Sequence, residues 1–192
     1  MVPLLLASSS PYRRELLARL KLNFRYASPN IDETSYSGES ARHLALRLAK
    51  AKAYALAEEY PDHLIIGSDQ TASINDHILG KPLTFERARE QLLNASGKSV
   101  TFFTALALLN TQTGVCQLDC IPFTVHFRTL SLEQIERYLH TEKPFDCAGS
   151  FKVEGLGISL FQSTEGEDVS SLIGLPLIRL TDLLTQEGYS IP

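Results

Sequence analysis

A chain of 192 residues, 44% hydrophobic and 21% charged, carries enough apolar material for one well-packed domain spanning 1–192. Its net charge of −4 argues against a general nucleic-acid surface, so any polyanion site must be a local concentration of cations. Cys116, Cys120 and Cys147 are too few and odd in number for a disulfide framework, and no apolar run approaches the ~20 residues of a membrane span. The N-terminus lacks the basic start and long apolar core of a signal peptide, which makes the cytoplasm the expected compartment.

Leu4-Leu5-Leu6-Ala7 has the length of a buried strand, and Leu16, Leu17 and Leu20 recur at helical spacing. Between them, Ser8-Ser9-Ser10-Pro11-Tyr12-Arg13-Arg14 puts hydroxyls, a first-turn proline and two arginines at a helix start. Free backbone N–H groups, the helix dipole and guanidinium forks together suit a phosphate. A plain serine N-cap with solvated arginines reads the same segment equally well.

Residues 23–27 alternate like a short strand and run into a polar loop, 28–39, that holds Asp32 and Glu33. A long helix is predicted over 40–59, then a short buried strand over 64–67 that stops at Ser68-Asp69-Gln70. A turn near Asn75-Asp76 follows, and Gly80-Lys81-Pro82 leads to a helix capped by Thr84 and closed by Gly97. Residues 100–109 read as a strand, and the turn at 110–114 predicts a hairpin. Phe123, Val125 and Phe127 alternate with polar residues, giving a strand with one wet face. Ser131 and Gln134 form a capping box for a helix through Leu139. Glycine-punctuated sequence then contains a predicted strand at 158–161, and a last helix covers 176–187. Strands alternating with helices, interrupted by a hairpin, make the fold class α/β with a mixed β-sheet flanked by helices.

Lys52 stands out in the second helix. Counting about 100° per residue from Leu44 puts Leu48 near 40°, Ala45 near 100° and Lys52 near 80°, inside the apolar stripe. An ammonium there needs an anion or a stem that snorkels to water, and an anionic ligand is the expectation. Asp69, at the predicted end of an apolar strand, lies where ligands of α/β sheets bind. It could hold a divalent cation, accept a proton from water, or close an Asx-turn. Glu33 adds carboxylate from its loop, and Pro82 keeps the backbone of Lys81 extended.

Ser96-Gly97-Lys98-Ser99 looks like the end of a phosphate-binding P-loop, but Leu92 occupies the earlier glycine position and a strand follows. No serine, cysteine and histidine set suggests a nucleophilic triad. The remaining inventory is Arg13, Lys52 and Lys81 as cations with Glu33 and Asp69 as carboxylates. It suits metal-assisted attack of water on a phosphoanhydride.

Residues 6–17, from Leu6 through Ser8-Ser9-Ser10-Pro11-Tyr12-Arg13-Arg14 to Leu17, resemble the opening signature of the Maf proteins, nucleoside triphosphate pyrophosphatases. Asp32-Glu33, Lys52-Ala53, Gly67-Ser68-Asp69, Gly80-Lys81-Pro82, Ala148-Gly149-Ser150, Glu154-Gly155 and Gly174-Leu175-Pro176 keep that family's order and spacing. The resemblance implies an inosine triphosphate pyrophosphatase-like (Maf/Ham1) fold, two-lobed with a central cleft and often a homodimer. It also implies a divalent cation, Mg or Mn, and cleavage of a nucleotide to its monophosphate and pyrophosphate. By the same resemblance Asp69 is the proton acceptor, Ser8, Arg13, Lys52 and Lys81 hold phosphates, and Glu33 with Asp69 binds the metal.

Members acting on dTTP and UTP typically carry arginine, threonine and glutamine where this chain has Tyr12, Gln70 and Glu154. This trio instead resembles the YceF-like branch, which prefers 7-methyl-GTP. N7-methylation makes guanine cationic, so an aromatic ring gains roughly 0.5–2 kcal/mol by stacking on it. A carboxylate accepts from the guanine N–H edge and complements the charge. A role in clearing modified nucleotides follows from the resemblance. The alternatives are the dTTP/UTP activity of the wider family and a nucleotide-sensing regulator of cell division.

Overall fold

The computed structural model describes residues 2–191. Among them, seven strands form one mixed sheet: β1 (Leu4–Ala7), β2 (Phe24–Ala27), β3 (Leu64–Ile74), β4 (His77–Leu79), β5 (Ser99–Asn110), β6 (Cys116–Phe127) and β7 (Phe161–Gly166). The order is β2-β1-β3-β5-β6-β7, with β4 paired to β3. β1 is parallel to both β2 and β3, whereas every other pairing is antiparallel. The helices are α1 (Pro11–Ala18), α2 (Ala41–Tyr54), α3 (Phe85–Ala95), α4 (Leu132–Glu142), α5 (Val169–Ile173) and α6 (Leu177–Gln186).

Strand alternation sorts the core into layers. Leu4, Leu6, Leu64 and Ile66 face Leu16 and Leu17 of α1 and Leu180 and Leu184 of α6. Leu5, Ala7 and Ile65 point the other way, onto Ala45, Ala49 and Ala53 of α2. A third cluster lies at the opposite end, where Ala72, Ile74, Phe102 and Val125 meet Leu92 of α3 and Ile135 and Leu139 of α4. Two lobes result, sharing the long strands β3, β5 and β6.

A gap in the sheet separates them. β1 stops at Ala7, paired with Gly67, and β4 first pairs with β3 at Ala72. Between those two points β3 has a neighbour only on its β5 side. Asp69 therefore lies within a strand that runs on to Ile74, not at the end of one as its sequence suggests. Ser68, Thr71 and Ser73 are polar yet buried there, which is why hydropathy reads a stop.

Other boundaries also differ from expectation. α2 ends at Tyr54 because the chain tightens to an i−3 bond, Ala57 N–H to the Tyr54 carbonyl at 3.1 Å, ahead of Pro61. The strand expected at 158–161 is replaced by a 3-10 turn over Leu156–Leu160, with Ile158 exposed, and β7 begins at Phe161. Within the turn the chain packs closely on itself: a Cβ on Gly157 would lie 2.3 Å from the Lys152 carbonyl oxygen, which accepts from the Gly157 N–H at 3.0 Å. β4 and α5 are elements absent from the sequence reading. The capping residues Thr84 and Ser131, the hairpin at 110–114 and the three free cysteines match it.

Candidate active site

A cavity of about 710 Å³ opens at the gap in the sheet. Ser8, Tyr12, Arg13, Glu33, Lys52, Asp69, Gln70, Lys81 and Glu154 all line it, so these residues from distant parts of the sequence border one space. They arrive from separate elements: the β1–α1 turn, the first turn of α1, the loop before α2, α2 itself, β3, the segment after β4, and the loop that precedes β7.

The charged centre is built around Lys52. Only 6% of this residue is exposed, and its Nζ donates to Asp69 Oδ1 at 2.7 Å and to Glu33 Oε1 at 2.6 Å. The buried ammonium thus meets protein carboxylates and does not snorkel. Gly67 makes that reach available, because a Cβ on it would lie 2.1 Å from the Ala49 carbonyl oxygen of α2. Helix and strand approach each other more closely than any side chain at Gly67 would permit.

Burial pushes the Asp69 carboxyl above the ordinary carboxylate range, despite the opposing charges of Lys52 and Arg13. Burial also raises Glu33, but there the hydrogen bond and charge of Lys52, with Lys81 and Arg13 behind it, win and hold it low. Two carboxylates sharing one ammonium are therefore driven in opposite directions. That separation suits a proton acceptor beside an anionic ligand group.

Arg13 is fixed from the far side. Its Nε donates to the Gly174 carbonyl at 2.8 Å, which leaves the terminal nitrogens to the cavity. Ser10 caps α1, its hydroxyl accepting from the Arg13 N–H, and the buried Ser8 hydroxyl accepts from Ser10 N–H at 3.1 Å. The serine run is both a cap and a cavity wall.

Gln70 is turned toward the fold. Its amide nitrogen lies 3.0 Å from Thr104 Oγ1, 2.8 Å from the Ser171 carbonyl and 3.0 Å from the Leu172 carbonyl, which fastens α5 to the sheet.

The other end of the cavity is made of Tyr12, Asp146, Cys147, Lys152 and Glu154. The Tyr12 hydroxyl is raised first by burial and then by Cys147, Asp146 and Glu154, against Lys152. Burial and the adjacent Asp146 push the Cys147 thiol up to about 12, an unreactive protonated state. The loop carrying Glu154 is held by α4: Tyr138 Oη accepts from Lys152 N–H at 3.0 Å, and Glu142 Oε2 accepts from Leu156 N–H at 2.8 Å. Asp146 and Lys152 were not singled out in the sequence. They flank the Ala148-Gly149-Ser150 motif, the one signal that could have found them.

Among the described residues no group of three or more His, Cys, Asp and Glu side chains could hold a metal ion without help. Glu33 and Asp69 each give one oxygen to Lys52, which leaves hard carboxylate oxygens facing the cavity. A pair of carboxylates completed by ligand phosphates and water is the donor set that Mg²⁺ accepts. No helix is long and apolar enough to cross a membrane among the residues described.

Comparison with known proteins adds to this geometry. The family model described as Maf-like protein matches residues 3–187. A 7-methyl-GTP pyrophosphatase from Pseudomonas fluorescens is 67% identical over 192 residues, covering all of both chains. Proteins of the same name from Pseudomonas aeruginosa and Alcanivorax borkumensis are 63% and 57% identical, the second over 98% of this chain and 96% of its own. Among solved structures, the Ham1 protein of Staphylococcus aureus aligns with a TM-score of 0.46 at 14% identity, over 66% of this chain and 72% of that one.

Proposed function

The chain belongs to the Maf family, and on that premise we propose that it hydrolyses 7-methyl-GTP to 7-methyl-GMP and pyrophosphate. The observation that carries this reading is one cavity with two chemically different ends. Arg13, Lys52, Lys81 and Asp69 line one, and Tyr12 and Glu154 the other. The full-length relatives of that name support the choice of nucleotide.

In this reading Arg13, Lys52, Lys81 and the Ser8 hydroxyl hold the phosphate chain and neutralise charge that develops on the departing pyrophosphate. Asp69 takes the proton of the attacking water as its oxygen bonds to the α-phosphorus. A carboxyl raised by burial is a stronger base, once ionised, than an exposed one. Tyr12 stacks on the cationic purine, and Glu154 accepts from its N–H edge. A neutral pyrimidine would leave Glu154 poorly paired, which disfavours the wrong base. Glu33 and Asp69 would hold Mg²⁺ or Mn²⁺, which when bound adds electrophilic activation of a phosphate oxygen. The reading also includes a cytoplasmic location, a homodimer, and nucleotides but not nucleic acid as partners. Clearing of modified nucleotides is the corresponding role.

A pyrophosphate-release panel tests it, using 7-methyl-GTP, GTP, dTTP and UTP with magnesium, with manganese and with chelator. We expect 7-methyl-GTP to give the highest kcat/KM and chelator to abolish release. Faster turnover of dTTP or UTP would assign the wider family's activity, and no turnover of any nucleotide would favour a nucleotide-sensing regulator.

A further inference from the structure

Ser68 belongs to the Gly67-Ser68-Asp69 motif, yet the mechanism above gives it no part. It is fully buried, and its hydroxyl donates to the Gly174 carbonyl at 3.0 Å. That carbonyl also accepts from Arg13 Nε at 2.8 Å, so one oxygen joins a strand residue next to Asp69 to an arginine of the cavity wall. A carbonyl oxygen has two lone pairs, and both are in use here.

The segment bearing Gly174 is itself held in place. Thr104 Oγ1 donates to the Ser171 carbonyl at 2.8 Å, and the Gln70 amide reaches the same oxygen. Asp168 accepts from Ser170 N–H at 2.8 Å and Ile178 N–H at 2.9 Å. Gly174 turns the chain at φ 128°, a conformation that side chains rarely adopt. Its N–H lies 3.1 Å from the Ser170 carbonyl and 3.0 Å from that of Ser171. The carbonyl is therefore fixed at both flanks and aimed at Arg13.

We propose that Ser68 is a positioning residue for the phosphate-binding arginine, acting through the Gly174 carbonyl. The hydroxyl fixes the direction of the C=O, the C=O fixes Nε, and the planar guanidinium then presents its terminal N–H groups to the phosphate chain. Arg13 is thereby linked, through Gly174, to the β3 residue that immediately precedes Asp69. The inference rests on the reading of Arg13 as a phosphate ligand.

A double-mutant cycle tests it, with pyrophosphate release from 7-methyl-GTP as the readout. Ser68→Ala is expected to lower kcat/KM about three- to tenfold, the worth of one ordinary hydrogen bond. In an Arg13→Ala background the same change should cost less than about twofold, since the positioned group is gone. A merely structural serine would cost the same factor in both backgrounds. That result, or no loss in the parent, overturns the relay. If Ser68→Ala does not fold by circular dichroism, Ser68→Cys, of similar volume with a weak donor, replaces it in the same cycle. An inactive parent chain sinks the functional reading and the relay with it, whereas an active parent with equal losses sinks the relay alone.

Discussion

The two ends of the cavity are built differently. At the phosphate end Lys52 and Asp69 lie on regular elements, a helix and a mid-sheet strand, and are 6% and 7% exposed. At the base end Asp146 and Glu154 are exposed and stand on loops whose backbone is pinned by Tyr138 and Glu142 of α4. Asp69 and Glu33 share the Lys52 ammonium, so neutralising one carboxylate leaves Lys52 paired with the other. Loop carboxylates can be exchanged at little cost to the fold. Under the proposed function, hydrolysis belongs to the buried end and the choice of nucleobase to the exposed one.

The sharpest way to break this contrast is Asp69→Asn. It should lower kcat by about 10²- to 10⁴-fold, the usual contribution of a positioned base, while circular dichroism stays native. Undiminished release of pyrophosphate would remove Asp69 from the mechanism and leave the buried end without a catalytic role. Glu154→Gln should act on the other end only, lowering the ratio of kcat/KM for 7-methyl-GTP over UTP about tenfold with an unchanged melting temperature. Equal ratios before and after would place base selection elsewhere in the cavity.

Glu33→Gln sharpens the comparison through pH. Glu33 is one of the charges that raise Asp69, so removing it should move the acidic limb of the kcat/KM profile to lower pH. A limb that stays in place or rises would show that Asp69 does not set it. The sign for stability runs separately. A carboxyl raised by folding, as Asp69 is, favours the native state at low pH and loses that contribution as pH rises through its folded pKa.

Much of the charged end of the cavity was legible in the chain. The helical phase of Lys52 foretold its burial, because an ammonium on an apolar stripe must find an anion. Ser10-Pro11 marked the start of α1, and Thr84 and Ser131 marked two other helices, since caps are read locally. What failed was anything decided by distant neighbours. β3 looked finished at Asp69 because its continuation is polar, and only ten backbone pairings with β5 reveal the strand. Ile158 looked like strand interior but is exposed on a 3-10 turn, whereas the true strand, β7, is a polar edge. α5 escaped notice because it is short and is held by its Ser171 carbonyl, which accepts from Thr104 and Gln70 of the sheet, not by any periodicity.

The interruption beside β3 has a mechanical corollary. Because that strand is a single backbone ladder through both lobes, a bending motion of the molecule would carry Asp69 and its partner Lys52 along as one block. Any widening of the cavity then falls to its peripheral segments, those of Lys81 and of Glu154, which border it without interrupting the ladder.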